Sequence, residues 1–226
     1  MKKKYVMIIG LVIILIVLFY KYIAQFLGFI PTGTSIVFTE KYLLYSRFIF
    51  WGMTIFLFLY AHFAEKQSLL LKKPSRHGIG FYILSIATIT IAIIVISSLV
   101  MFAIKSLGYA TNQQAPTLKN MLSILKAHPL LLLFTCITAG VTEEIIFRGY
   151  IQTRIELVFN SPVSGIIISA FFFSLAHSFY GTVQEIVGPF IIGLVFAIYY
   201  YKYKNIYALM VFHFLFDYTQ ILLLHT

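Results

Sequence analysis

The chain is poor in the residues on which soluble enzymes most often rely. Its 226 residues include seven acids, one tryptophan and one cysteine, and only 11 % are charged. The lone Cys136 excludes an intrachain disulfide and a thiolate metal cluster. It lies in an apolar run with no activating base nearby, so it reads as a core residue rather than a nucleophile. The sequence also has no glycine-rich phosphate loop, internal repeat or low-complexity segment.

Apolar sequence is what the chain has in abundance. The hydrophobic fraction is 61 % and the mean hydropathy is +0.94. Several apolar runs approach or exceed the ~20 residues that a helix needs to cross a bilayer. Continuous runs without period-2 alternation favour a helix bundle over a barrel. The expected fold is therefore all-α: a polytopic transmembrane bundle in which residues 1–226 form one membrane domain. Spans are expected at about residues 5–25, 43–64, 79–104, 129–148, 162–180, 184–201 and 205–225, which makes seven. Residues 1–104 supply the N-terminal spans, and 129–225 supply a four-helix core. Lys2, Lys3 and Lys4 precede the first run as in a signal peptide, but no small-x-small cleavage pattern follows, so that run reads as a retained anchor.

The net charge of +10 is unevenly placed. Lys2, Lys3, Lys4, Lys66, Lys72, Lys73, Arg76, Arg148, Arg154, Lys202 and Lys204 fall on one side of the expected topology, whereas Lys41, Lys105, Lys119 and Lys126 fall on the other. The positive-inside rule then puts the N-terminus in the cytoplasm and the C-terminus outside, as an odd span count requires. The expected location is a plasma membrane, bacterial in type, with membrane lipid as a standing partner. The basic segment from Glu65 to Arg76 is short and lacks interleaved aromatics, so topology and anionic-lipid contact explain it better than nucleic acid does. The 105–128 connection carries Asn112, Gln113 and Gln114, then Met121 to Leu125, which reads as a short interfacial helix. Tyr199, Tyr200 and Tyr201 beside Lys202 read as part of an aromatic belt.

Most acids lie at loops or helix ends: Glu40, Glu65, Glu156 and Glu185. Glu143, Glu144 and Asp217 lie within or at the edge of apolar helices, as do His177 and His213. Charges there are costly, so each needs a partner or a task. Glu144 and Arg148 are four apart and share a helix face, which suits an ion pair. On an α-helix Glu143 is turned about 100° away, without a sequence-local cation, and is available to act on water. His213 and Asp217 are also four apart, an arrangement in which the carboxylate orients the imidazole. Phe173 and His177 repeat that spacing, so the Phe173 ring can line the site beside the imidazole, although Phe171, Phe172 and Phe173 run together and make Phe173 a core residue before a catalytic one.

Depth adds a second argument. With a turn at Asn160-Ser161-Pro162, Glu143 and His177 are each 17 residues from Asn160, or roughly 25 Å at α-helical rise, and an antiparallel hairpin brings them level. His213 lies at comparable depth in the last span. Glu143, His177 and His213 together supply a general base and imidazoles in a low-dielectric cavity, suited to activating water against a carbonyl and stabilising an oxyanion. The same trio has the donor set of a two-histidine, one-carboxylate metal site, with zinc the natural candidate. The sequence leaves both readings open.

These motifs carry a family resemblance. Glu143-Glu144-x-x-x-Arg148 followed by Gly149-Tyr150, then Phe173-x-x-x-His177, then His213-x-x-x-Asp217, resembles the CAAX-protease and bacteriocin-processing family of intramembrane proteases, also called Abi or type II CAAX prenyl endopeptidases. The resemblance covers about the last hundred residues and implies hydrolysis of a peptide bond in a membrane-associated or lipidated peptide. By analogy Glu143 and His177 activate water, His213 and Asp217 support the tetrahedral intermediate, and Glu144 and Arg148 hold the architecture. Many family members carry Asn where this chain has Asp217, and an ionised Asp cannot donate to an oxyanion, so Asp217 is expected to orient His213. The family has been described both as metal-dependent and as metal-free. Two other function classes use buried Glu and His: a proton- or ion-coupled transporter, which usually shows paired repeats, and a catalytically silent immunity or regulatory protein.

Overall fold

The computed structural model describes residues 2–29, 38–108, 115–178 and 182–223. Asn112, Gln113 and Gln114 lie outside them. Every regular element among the described residues is helical, in the order α1 (Lys2–Leu18), α2 (Tyr20–Phe26), α3 (Glu40–Phe63), α4 (Ile79–Ser106), α5 (Pro116–Ala127), α6 (Pro129–Thr138), a π-helix (Ala139–Gln152), α7 (Thr153–Phe159), α8 (Pro162–His177), α9 (Gln184–Tyr203) and α10 (Ile206–Leu223).

Local sequence sets several of these boundaries. Proline at the first helical position opens α5, α6 and α8, where its missing N–H costs nothing. The side chains of Thr39 and Ser161 cap α3 and α8 by accepting from Tyr42 N and Ser164 N. Asn160 takes a left-handed conformation at the end of α7 and, with Ser161 and Pro162, forms the expected hairpin turn. The expected interfacial helix is α5, which buries Leu122 and Leu125.

α6, the π-helix and α7 run on as one 31-residue helix, Pro129–Phe159, with 67 % of its apolar window buried. This is the axis of the bundle. α8 folds back along it and packs on α9, and α10 lies against the π-helix. A core of Leu57, Ile146, Phe147, Ile151 and Phe173 joins α3 to this axis. At one end of the bundle the 64–78 segment is tied to α7 by Arg154 and Glu65 and to the α9–α10 turn by Ser75 N donating to Tyr203 O at 3.1 Å. α1 reaches the same end, where Val6 O accepts from the Tyr60 hydroxyl.

Length and composition alone do not account for all seven expected spans. Among the described residues five helices are long and apolar enough to cross a membrane, and α1 with α2 makes a sixth if that pair, bent by 77°, is one span. The bend is at Phe19, which leaves helical geometry and sets its ring 5.8 Å from that of Phe172. α8 has 16 residues, about 24 Å at α-helical rise, short of the ~30 Å hydrocarbon thickness. Sequence hydropathy treated residues 178–180 as part of that span, but α8 closes at His177.

Candidate active site

The Glu143–Arg148 motif lies in the middle of the π-helix. Wide i→i+5 turns usually occur singly and often at functional sites, and here they continue across the whole motif. At its start Thr142 Oγ1 donates to Thr138 O at 2.7 Å, and just past its end Thr153 Oγ1 donates to Gly149 O at 2.6 Å. Both hydroxyls satisfy carbonyls of the preceding turn. The 100° separation expected between Glu143 and Glu144 is an α-helical value and does not apply to this wider turn.

The expected ion pair is formed. Arg148 Nη1 donates to Glu144 Oε1 at 3.0 Å with both side chains fully buried. The guanidinium lies over the Phe173 ring at 4.4 Å and the Phe196 ring at 5.2 Å, and Nη2 donates to Gly193 O at 3.3 Å. Two aromatic faces, a carboxylate and a carbonyl together replace the hydration that burial removes.

Glu144 does more than hold Arg148. Its Oε1 is also 2.8 Å from His213 Nδ1, and His213 Nε2 is 3.4 Å from Asp217 Oδ2. The expected Asp217 contact is present, but the shorter one comes from a carboxylate that spacing had assigned to the scaffold alone. Gly140 makes the approach of α10 possible: a Cβ there would lie 2.8 Å from Met210 O. Small residues at such crossings let backbones meet closely in a bilayer.

Glu143 is buried at 8 % exposure, and its Oε2 has no hydrogen-bond partner among the described residues. Among the described residues no hydrogen bond or ion pair joins it to either histidine. His177 is half-buried, and its Nδ1 is 2.8 Å from Phe173 O. A carbonyl only accepts, so Nδ1 donates to it, and in the neutral ring Nε2 is the acceptor nitrogen. Phe173 is the shared wall: its ring is 4.8 Å from that of His177 and 6.1 Å from that of His213.

The π-helix changes the register expected across the hairpin. Ser169 Oγ donates to Phe147 O at 3.0 Å, so these residues are level although they are 9 and 13 residues from Asn160. By that register Phe173, one turn past Ser169, faces the level of Glu143, and His177 lies a turn beyond. A wider helix advances less per residue, so equal counts do not give equal depths. The candidate trio for a metal does not form a ligand set: among the described residues no group of three or more His, Cys, Asp or Glu is placed to hold a metal. Both His213 nitrogens face carboxylates. These residues do not fit a metal site.

Two features escaped the sequence reading. His177 lines a cavity of about 460 Å³ together with Glu185, Pro189 and Gln220, and Glu185 Oε2 is buried there without a hydrogen-bond partner among the described residues. Its position near a span boundary had set it aside. Glu65 and Arg154, taken as loop charges, form a buried pair at 2.7 Å, with the Tyr150 hydroxyl donating to Glu65 Oε1 at 2.8 Å. The faint signal was that Tyr150 and Arg154 are four residues apart just past the motif.

Residues 125–219 match the family model described as type II CAAX prenyl endopeptidase Rce1-like. Over these residues the chain is similar to that family. The matched region begins in α5 and ends two residues past Asp217, so it includes Glu143, Glu144, Arg148, Phe173, His177, His213 and Asp217, but not Glu65. No curated protein and no solved structure matches the chain.

Proposed function

We propose that this protein is an intramembrane endopeptidase in which Glu143 activates the water that attacks a peptide carbonyl. The observation that carries this reading is that the buried Glu143 carboxylate has no hydrogen bond or ion pair among the described residues, whereas Glu144, whose Oε2 is also unpartnered, is held through Oε1 by Arg148 and His213. An unpaired carboxylate in an apolar helix needs a task. The Rce1-like match over the same helices supports peptide hydrolysis as that task.

In this reading His177 offers Nε2 to the water or to the leaving amine, and Phe173 keeps bulk water away from both histidines. His213, held between Glu144 and Asp217, faces the negative charge that develops on the tetrahedral intermediate. Asp217 and Glu144 act through His213, and Arg148 keeps Glu144 in place. The substrate is a membrane-associated peptide or a lipidated protein, a bacteriocin leader being one form. The enzyme sits in a bacterial plasma membrane with its N-terminus in the cytoplasm, and α1–α2 together with α8 bring the crossings to seven.

The test is mass spectrometry of membrane peptides from cells carrying either the wild-type or the Glu143→Gln allele. Loss of a general base lowers turnover by roughly 10²–10⁴. Peptides cut in the wild type should therefore persist uncut in the variant, while the purified variant keeps the wild-type melting midpoint. Identical peptide profiles at equal expression would end the proposal.

A further inference from the structure

A cavity of about 860 Å³ lies outside the candidate active site, at the end of the bundle where the 64–78 segment meets α3 and α10. Lys66, Lys72, Lys73, Lys204 and His62 line it, and among the described residues no acid does. Its apolar wall includes Phe58, Ile145 and Ile206. Lys72 is already engaged, 2.7 Å from Glu156 Oε2 and over the rings of Tyr200 and Tyr201. Lys66, Lys73 and Lys204 are exposed and have no ion pair among the described residues. Three unpaired cations on one concave surface repel each other until an anion enters.

The backbone points the same way. Lys66 and Lys204 have φ of 52° and 56°, and Asn160 is the other non-glycine residue with positive φ among the described residues. Asparagine adopts this conformation readily, but lysine has no local hydrogen bond to favour it. Both lysines follow a helix C-terminus, where glycine is the usual occupant. A cation there complements the helix dipole, but the dipole does not require the strained position. Nor does it explain why two different helix ends aim at one cavity.

A second cavity, of about 550 Å³, adjoins the first, with Pro74 and Tyr207 lining both. It is mainly apolar, walled by Ile83, Ile86 and Ile89 of α4 and by Leu209 and Phe212 of α10, and Arg76 is the one charged residue lining it. A basic chamber beside an apolar one fits an amphiphile with an anionic head and a hydrocarbon tail. A soluble phosphate would use only the first chamber. We propose that the Lys66–Lys73–Lys204 cavity binds the phosphate headgroup of an anionic membrane phospholipid, with an acyl chain in the groove between α4 and α10. The positive-inside rule accounts for basic residues at this end of the bundle; it does not account for their convergence on a cavity with an apolar annex. Ile145, next to Glu144, forms part of the wall, so the lipid braces the helix that carries the catalytic motif.

The test uses the full chain in a neutral detergent, followed by native mass spectrometry and by the melting midpoint. Phosphatidylglycerol, phosphatidylcholine and glycerol phosphate are titrated in separate arms. Phosphatidylglycerol should bind saturably and raise the midpoint, less so as salt increases, while the other two do neither at matched concentration. The Lys66→Gly/Lys204→Gly variant removes two charges and relieves both left-handed positions, so it folds at least as well as wild type. It should bind phosphatidylglycerol about tenfold to thirtyfold more weakly. Lys73→Gln, in the exposed segment, is the second variant and should bind severalfold more weakly. Unchanged affinity in both variants, or equal binding of phosphatidylcholine, overturns the site. Equal binding of glycerol phosphate overturns the lipid as its ligand. No arm depends on peptidase activity.

Discussion

The central helix, Pro129–Phe159, and α4, Ile79–Ser106, are the two longest apolar helices, and they are built for opposite surroundings. Burial covers 67 % of the apolar window in the central helix and 11 % of that in α4. α4 is nearly pure Ile, Val, Leu and small residues, buries only Ile89 and Ile93, and leaves Ile83, Ile91, Leu99 and Phe102 facing outward. The central helix is interrupted by Thr142, Glu143, Glu144, Arg148, Gln152 and Arg154, all of them buried. In a bilayer the most hydrophobic helix is the one that meets lipid, because lipid is as apolar as leucine and gives no drive towards burial. Polar residues mark the interior instead, where they find partners and lose water.

Arg148 tests this contrast most severely. Removing it leaves Glu144 fully buried with only His213 opposite, and breaking a buried pair by deleting one partner costs about 3–5 kcal/mol. Arg148→Ala should therefore lower the melting midpoint in detergent more than any single change on α4. Arg148→Lys should recover only part of it, since an ammonium cannot reproduce the stacking of the guanidinium on Phe173 and Phe196. A midpoint for Arg148→Ala within error of the wild type would remove the ion pair from the account of the fold.

The same contrast explains what could be read from the sequence. Long apolar runs identified α3, α4, α9 and α10, with ends displaced by up to three residues, because lipid exposure leaves a plain compositional mark. The Glu144–Arg148 and His213–Asp217 pairs followed from four-residue spacing. The Glu144–His213 contact did not, because it joins residues 69 apart. The relative depth of Glu143 and His177 was misjudged because no residue in the stretch announces a π-helix, and α-helical rise was applied to it. Glu65 with Arg154 was missed for the opposite reason: loop position was taken as exposure, yet the 64–78 segment folds in against Tyr150.

That Glu65 pair gives a smaller, pH-dependent effect at the edge of the buried axis. Burial pushes the Glu65 carboxyl up, but hydrogen bonds from Arg154 and Gln67, the Arg154 charge and the Tyr150 hydroxyl outweigh it and hold the group below its ordinary value. A carboxyl lowered in the folded state contributes stability that is fully present above its unfolded value of about 4.3 and lost as pH falls through the folded value. The melting midpoint of the wild type should therefore fall more steeply below about pH 4.3 than that of Glu65→Gln, and the two should run parallel above it. Parallel curves throughout would mean that Arg154 does not favour the ionised carboxylate.

The smallest effect is expected on α4 itself, where two isoleucines separate lipid from protein. Ile93 is 4 % exposed and packs with Phe196 and Leu209, whereas Ile91, about 200° away around the same helix, is 60 % exposed. Ile93→Ala removes side-chain contacts that protein had filled and should cost about 2 kcal/mol or more. Ile91→Ala exchanges side-chain contacts for lipid contacts of the same polarity and should stay within about 0.5 kcal/mol of the wild type. Melting midpoints of the two variants in the same lipid nanodisc read this difference directly. Similar losses at both positions would show that the outer face of α4 is packed against protein in the membrane, and the low burial of this helix would then describe an unassembled surface rather than a lipid-facing one.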